Sequence, residues 1–263
     1  MTEFLPVSSS GHLVILEKIF GLKASIPFFV LLHVGTMCAV IAYFWKDIRE
    51  LTASFLSGLW GIVACRLSAR ATYYSNTQFK IACLLLLGTL VTGAIGFSFK
   101  DAFEALFTSV LAVGVFLLLT GALIIFAEWI GKGRRFAAQM NFIDALVIGL
   151  FQALAIAPGL SRSGATISAS LAMGLKRDFA ARFSFLLAIP AIFAAVAAER
   201  NELFHIAGTQ LGATNIIAGF LSAFIFGFLA IKLFMSMIER MSLRVFAYYC
   251  FVVGTAAIVW SVL

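Results

Sequence analysis

A-P-G-L-S-R-S-G-A-T-I-S, residues 157–168, sets one arginine, several hydroxyls and two glycines inside an otherwise apolar sequence. The apolar pieces on either side, residues 146–157 and 169–175, are each too short to cross a bilayer, which takes about 20 apolar residues. Two half-length pieces meeting at a Pro-Gly break predict a helix that enters the membrane, turns and returns. Irregular backbone at that depth is tolerated only where protein buries it or where it lines a wet cavity. Arg162 at the turn then requires a charged partner or an anionic ligand.

A second copy stands at the start of the chain. Laying residues 6–23 over 159–176 at a constant offset of 153 pairs Ser8 with Ser161, Ser10 with Ser163, Gly11 with Gly164, Gly21 with Gly174, Leu22 with Leu175 and Lys23 with Lys176. Three of these six identities fall in one Ser-x-Ser-Gly. Either copy alone reads as a Gly/Ser break between packed helices; the pair points to a repeated functional element.

Composition fixes the class of protein. Of 263 residues, 62% are hydrophobic and 12% charged, about half the charged share of a soluble domain, and the mean hydropathy is +1.06. The expected fold is an all-α polytopic membrane protein, a single domain over residues 1–263 built of two inverted repeats, approximately 1–130 and 131–263. Six runs are long enough to span: 26–45, 79–99, 106–130, 179–198, 215–238 and 245–262. Residues 46–78 are too polar to cross in full and read as an interfacial amphipathic segment, with a short hairpin as the alternative. Cys38, Cys65, Cys83 and Cys250 show no C-x-x-C spacing and read as small apolar side chains. Gly114, Gly121, Gly219 and Gly227 are expected at close helix contacts, and Pro190 at a kink.

The net charge of +7 reads as membrane topology, with no nucleic acid implied. Threading the six spans puts Lys18, Lys23, Lys100 and Arg200 on one side. The other side collects Lys46, Arg49, Arg66, Arg70, Lys80, Lys132, Arg134, Arg135, Lys176, Arg177, Arg182, Arg240 and Arg244. The richer side is the cytoplasmic one. The element around residues 8–12 then enters from outside and that around 161–166 from the cytoplasm, so the copies are inverted and meet near the midplane. Some sixteen residues, 142–157, precede the break in the second copy, whereas five precede Pro6. The matching inbound half-helix is expected upstream of Met1, the alternative being that the protein has lost part of its site.

Glu3, Ser8, Ser9, Ser10 and His12 would thus converge with Ser161, Arg162, Ser163 and Thr166. A fixed arginine suits phosphate oxygens, and backbone N–H groups at the helix starts after Gly11 and Gly164 add anion-binding capacity. Glu3 could hold a divalent cation, Mg²⁺ or Ca²⁺, against a pyrophosphate. A nucleophilic Ser or His, or a water activated by His12, would complete displacement at phosphorus. Plainer readings exist for each. Glu3 could be an exposed terminal residue, His12 could bond a backbone carbonyl beside the glycine turn, and the serines could cap broken helix ends. A structural Arg162 would need a buried acid, for which Asp144 and Glu128 are the candidates. His33 and Lys232 read as pore-facing or snorkelling, and His205 stands without a motif. An inverted-repeat transporter or flippase with a midplane anion site is the alternative function.

At T-E-F-L-P-V-S-S-S-G-H (2–12) and P-G-L-S-R-S-G-A-T (158–166) the chain resembles the bacterial undecaprenyl-diphosphate phosphatases of the bacitracin-resistance type. The resemblance continues through F-S-F-L-L-A-I-P (183–190) and A-I-K-L-F (230–234). It implies an inner-membrane enzyme that removes the terminal phosphate of a C55 isoprenyl diphosphate, with Mg²⁺ or Ca²⁺ dependence and an active site open to the outer face. It also implies that Glu3 is the second glutamate of the family's E-x-x-x-E, and that Ser9 and His12 are nucleophile and acid/base in unsettled order. Arg162 would hold the phosphate, with Ser161, Ser163 and Thr166 as supporting donors. The first glutamate of that motif falls four residues before Glu3, outside this chain. Its mate at the repeat offset is Gln152, which suits packing or hydrogen bonding. The sequence leaves a homodimer open.

Overall fold

The structure is a computed structural model that describes residues 2–21, 26–131, 133–198 and 213–262. These residues form α-helices and one short 3₁₀ turn, Ala137–Gln139. In chain order the helices are α1 (Ser9–Phe20), α2 (Ile26–Tyr43), α3 (Trp45–Val63), α4 (Ala69–Ser75), α5 (Thr77–Ser98) and α6 (Lys100–Leu106). There follow α7 (Val110–Ile130), α8 (Phe142–Leu154), α9 (Arg162–Ala172), α10 (Arg177–Ala198), α11 (Ala213–Met237) and α12 (Arg244–Val262). Every predicted span is helical. Among the described residues four helices, α5, α7, α11 and α12, are long and apolar enough to cross a membrane singly; α2 and α3 together give a fifth candidate, bent by 78°. That bend is the physical form of the segment at 46–78. The chain leaves α2, turns at Phe44 and runs on as an amphipathic helix that buries Leu51, Gly58 and Gly61 while exposing Leu56, Trp60 and Val63.

The half-helices are as short as the sequence requires. Thirteen residues in α8 and eleven in α9 reach about 20 Å and 16 Å at 1.5 Å per residue, against a hydrocarbon core of about 30 Å. Asn141 starts α8 by accepting from the N–H groups of Ile143 (2.9 Å) and Asp144 (3.2 Å), and Asp144 reaches back to the Asn141 N–H at 2.7 Å. This reciprocal cap satisfies donors that a helix start leaves unpaired. At the break, Gly159 has φ of 95°, where a side chain would be strained. A Cβ there would also overlap the Val113 carbonyl of α7. The same helix serves the opened backbone: Thr120 Oγ1 sits 3.0 Å from the Gly159 carbonyl and accepts from the Ser161 N–H at 3.0 Å. The irregular stretch is buried by protein, the condition for its presence at membrane depth.

Small residues bring the long helices together. A Cβ on Gly149 of α8 would lie 2.8 Å from the Gly88 carbonyl oxygen of α5, and one on Gly114 of α7 would lie 2.9 Å from the Gly254 carbonyl oxygen of α12. Gly121 meets Phe251 and the Ala247 carbonyl, and Gly227 of α11 lies against Phe4 and Ala39. Such backbone-to-backbone approach is how helices gain dispersion contact in lipid, where no hydrophobic drive separates them from the tails. Outward faces carry Leu90, Phe97, Trp129 and Val252, all exposed.

Several basic residues that the threading assigns to the richer side are paired in the structure. Arg177 Nη1 lies 2.8 Å from Glu128 Oε1 and Arg182 Nη1 3.4 Å from Asp47 Oδ1. Lys80 donates to the Ala138 carbonyl at 2.9 Å. Arg135 grips Asp144 with two nitrogens at 2.8 and 2.7 Å and donates to the Met173 carbonyl at 2.7 Å. Asp144 is fully buried, and its hydrogen bond holds the Arg135 guanidinium above the ordinary arginine range. Lys23, Lys132, Arg200 and His205 lie outside the described residues.

Candidate active site

The N-terminal segment is driven inward by Phe4. Its ring is fully buried, edge-on to Phe185 at 5.9 Å, in a cluster continued by Phe44 and Phe234. Burying such a ring contributes roughly 1.5–3 kcal/mol relative to leaving it in water. The ring therefore pins its neighbours: Glu3 is not an exposed terminal residue but a partly buried one, its side chain 14% accessible. Its Oε1 lies 3.8 Å from Nη2 of Arg162, whose side chain is 18% accessible. The two acids named for a purely structural Arg162 are engaged elsewhere. Asp144 belongs to Arg135 and Glu128 to Arg177, leaving Glu3 to face Arg162. Both terminal guanidinium nitrogens of Arg162 are buried and form no hydrogen bond among the described residues.

The two Ser-x-Ser-Gly copies fold alike. Ser8 Oγ accepts from the Gly11 N–H at 3.2 Å and lies 3.3 Å from Ser10 Oγ. Ser161 Oγ accepts from the Gly164 N–H at 3.1 Å and lies 3.3 Å from Ser163 Oγ. Both elements end near a left-handed glycine, Gly21 (φ 62°) and Gly174 (φ 81°). They differ at the cap, where Ser8 itself has φ of 63° and Ser161 is extended. The helices begin at Ser9 and Arg162, ahead of the glycines rather than after them. The glycine N–H groups are thus spent on caps, and the backbone donors left at each start are those of the residues before them.

The copies also touch. A Cβ on Gly11 would stand 3.0 Å from the Gly159 Cα, and Ser163 Oγ donates to the Leu5 carbonyl at 3.1 Å. Of the hydroxyls expected to hold phosphate, Ser8 and Ser161 are occupied as caps. Thr166 Oγ1 donates to the Arg162 carbonyl at 2.8 Å and lies 2.6 Å from Ser184 Oγ. Ser8, Ser161, Ser163 and Thr166 shape the two turns; as cap acceptors, Ser8 and Ser161 keep their own O–H protons to donate. Ser9, in the first turn of α1, is half-buried, and its hydroxyl makes no hydrogen bond among the described residues. His12 does bond a backbone carbonyl, its Nδ1 being 2.7 Å from Ser8 O, and its Nε2 meets the Tyr249 hydroxyl at 2.7 Å.

Glu3 is one hard oxygen donor, and no group of three His, Cys, Asp or Glu side chains gathers among the described residues. That donor set makes no resident metal cage. It fits the looser mode in which Mg²⁺ is held by one carboxylate while substrate phosphates supply further oxygens. Gln152 is buried and donates to Thr92 Oγ1 at 3.2 Å, a packing and hydrogen-bonding residue as the repeat offset suggested. Lys232 is exposed on α11, as snorkelling requires.

Comparison with known proteins decides the family. The family model described as "Bacitracin resistance protein BacA" matches residues 1–256. The chain belongs to the BacA family. A relative from Methanosphaera stadtmanae named undecaprenyl-diphosphatase is 40% identical over 262 residues, covering 100% of this chain and 94% of its own length. Relatives of the same name from Alkaliphilus metalliredigens and Rubrobacter xylanophilus are 38% and 39% identical, each over 100% of this chain, covering 95% and 94% of their own lengths. Thr120 and Tyr249 escaped the sequence reading because each sits inside an apolar run with no motif to separate a site residue from helix packing, and Ser184 was quoted only as part of F-S-F-L-L-A-I-P without a role of its own.

Proposed function

We propose that this BacA-family protein hydrolyses undecaprenyl diphosphate to undecaprenyl phosphate and inorganic phosphate. In this reading it recycles the lipid carrier of peptidoglycan synthesis and confers bacitracin resistance. One observation carries the proposal: a buried guanidinium whose Nη1 and Nη2 make no hydrogen bond among the described residues, beside a carboxylate 3.8 Å away. A buried charge so poorly satisfied is costly, and a phosphate bound bidentately by the arginine fork offsets that cost.

Arg162 would orient the terminal phosphate and stabilise charge as it develops there. Glu3 and the phosphate oxygens would hold Mg²⁺ or Ca²⁺, which when bound neutralises charge on the diphosphate. Ser9, with a hydroxyl unengaged among the described residues, and His12, with a basic ring nitrogen, divide the roles of nucleophile and acid/base in an order left open. Ser8, Ser10, Ser161, Ser163 and Thr166 would support the bound phosphate from the two turns whose shape they also hold. The matching caps and left-handed glycines support two inverted repeats. The side richer in basic residues would face the cytoplasm of an inner membrane, with the site reached from outside.

Phosphate release from undecaprenyl diphosphate in detergent tests this, because transport has no meaning there. The purified protein should release one phosphate per lipid and lose that activity in EDTA. Lipid movement in vesicles without phosphate release in detergent would favour the transporter instead.

A further inference from the structure

His12 is held from both ring nitrogens, and the geometry fixes which one carries the proton. Nδ1 lies 2.7 Å from the Ser8 carbonyl oxygen. A carbonyl only accepts, so Nδ1 is the N–H and, in the neutral ring, Nε2 is the bare, basic nitrogen. That nitrogen is 2.7 Å from the Tyr249 hydroxyl, which therefore donates to it. The imidazole and phenol planes lie within 8° of parallel, with centroids 5.6 Å apart. Tyr249 comes from α12, more than two hundred residues away, and is 44% exposed. Its neighbour Cys250 is buried and reaches the Pro6 carbonyl at 3.6 Å, so α12 is packed directly beneath the segment that carries the site.

We propose that Tyr249 is a positioning residue for His12, holding the basic edge of the imidazole in a fixed orientation through the reaction. The proposal rests on the reading of His12 as a participant in phosphate-ester cleavage. A phenol suits the task because its hydroxyl donates to bare Nε2 and, by rotating, accepts once Nε2 has taken a proton. The single Nε2 lone pair is engaged in this bond. As Nε2 takes a proton, the hydroxyl either releases that lone pair or passes on its own proton, and the contact re-forms from the new Nε2–H with the ring in the same orientation. Ser8 supplies the matching anchor at Nδ1, so the turn that caps α1 and the last helix together set the imidazole plane.

The chain has three histidines, few enough to resolve by ¹⁵N NMR of histidine-labelled protein, with His12→Ala used to assign the signals. In Tyr249→Phe the His12 Nε2 resonance should move toward that of a nitrogen free of hydrogen bonds, while Nδ1 stays protonated. The same variant should lose roughly tenfold in kcat with KM within about twofold, the split expected of a group that acts on the reacting geometry and not on ground-state binding. The thermal midpoint should be unchanged. An unmoved Nε2 resonance, or a moved resonance with wild-type kcat, overturns the proposal. If the wild type releases no phosphate, the functional reading fails, while the NMR still reports whether the phenol holds the ring.

Discussion

Arg162 is a residue whose surroundings make sense only with a ligand. Its terminal guanidinium nitrogens are buried and, among the described residues, lack hydrogen bonds and face one carboxylate 3.8 Å off. Replacing an ill-satisfied buried pair by groups that need no such partners is often stabilising by about 1–4 kcal/mol. The double variant Glu3→Gln with Arg162→Met should therefore unfold at a higher temperature in detergent, by at least about 1 kcal/mol, while releasing no phosphate. Arg162→Lys keeps the charge but loses the planar fork, and phosphate release should fall about a hundredfold in a steady-state assay. Much at this scale was legible. Ser-x-Ser-Gly announced its capping geometry twice, because a serine two or three residues ahead of a helix N–H has few other uses. The meeting of Glu3 with Arg162 was legible from the repeat, whereas nothing in the sequence showed that Phe4 is what draws Glu3 inward.

At the scale of elements, the half-helices and the small-residue contacts carry the architecture. Gly149 packs against backbone atoms of Gly88, with no side chain available to move aside. Gly149→Ala should push α8 from α5 and destabilise the protein by about 1–3 kcal/mol, read as a lower midpoint of thermal unfolding. Asp144→Asn strips the charge from the partner of Arg135 at the loop that leads into α8. A loss of about 3–5 kcal/mol is expected from breaking such a pair, checked in the same way. The apolar runs foretold the helices well, because lipid leaves few alternatives to internal backbone pairing. The 78° turn between α2 and α3 was only half legible: the polarity of residues 46–78 set them apart from the long apolar runs, but nothing marked the corner at Phe44.

For the whole molecule, the bias in basic residues defines an orientation, and a native thiol tests it. Cys65 is free and exposed in the turn after α3, whereas Cys250 is buried. If the richer side is cytoplasmic, a membrane-impermeant maleimide should label Cys65 in inside-out vesicles and leave it unlabelled in intact cells; the reverse pattern would invert the topology. The charge bias was readable because it sums over many loops, whereas the meeting of Gly11 with Gly159 or of His12 with Tyr249 depends on three-dimensional packing that no short stretch records.

The central claim is that the two hairpin-like elements jointly grip one diphosphate through Arg162. Phosphate release from undecaprenyl diphosphate by purified Arg162→Ala, set beside wild type at matched thermal midpoint, measures it most directly. The expected result is turnover in the wild type and none in the variant; wild-type turnover in Arg162→Ala would contradict the account.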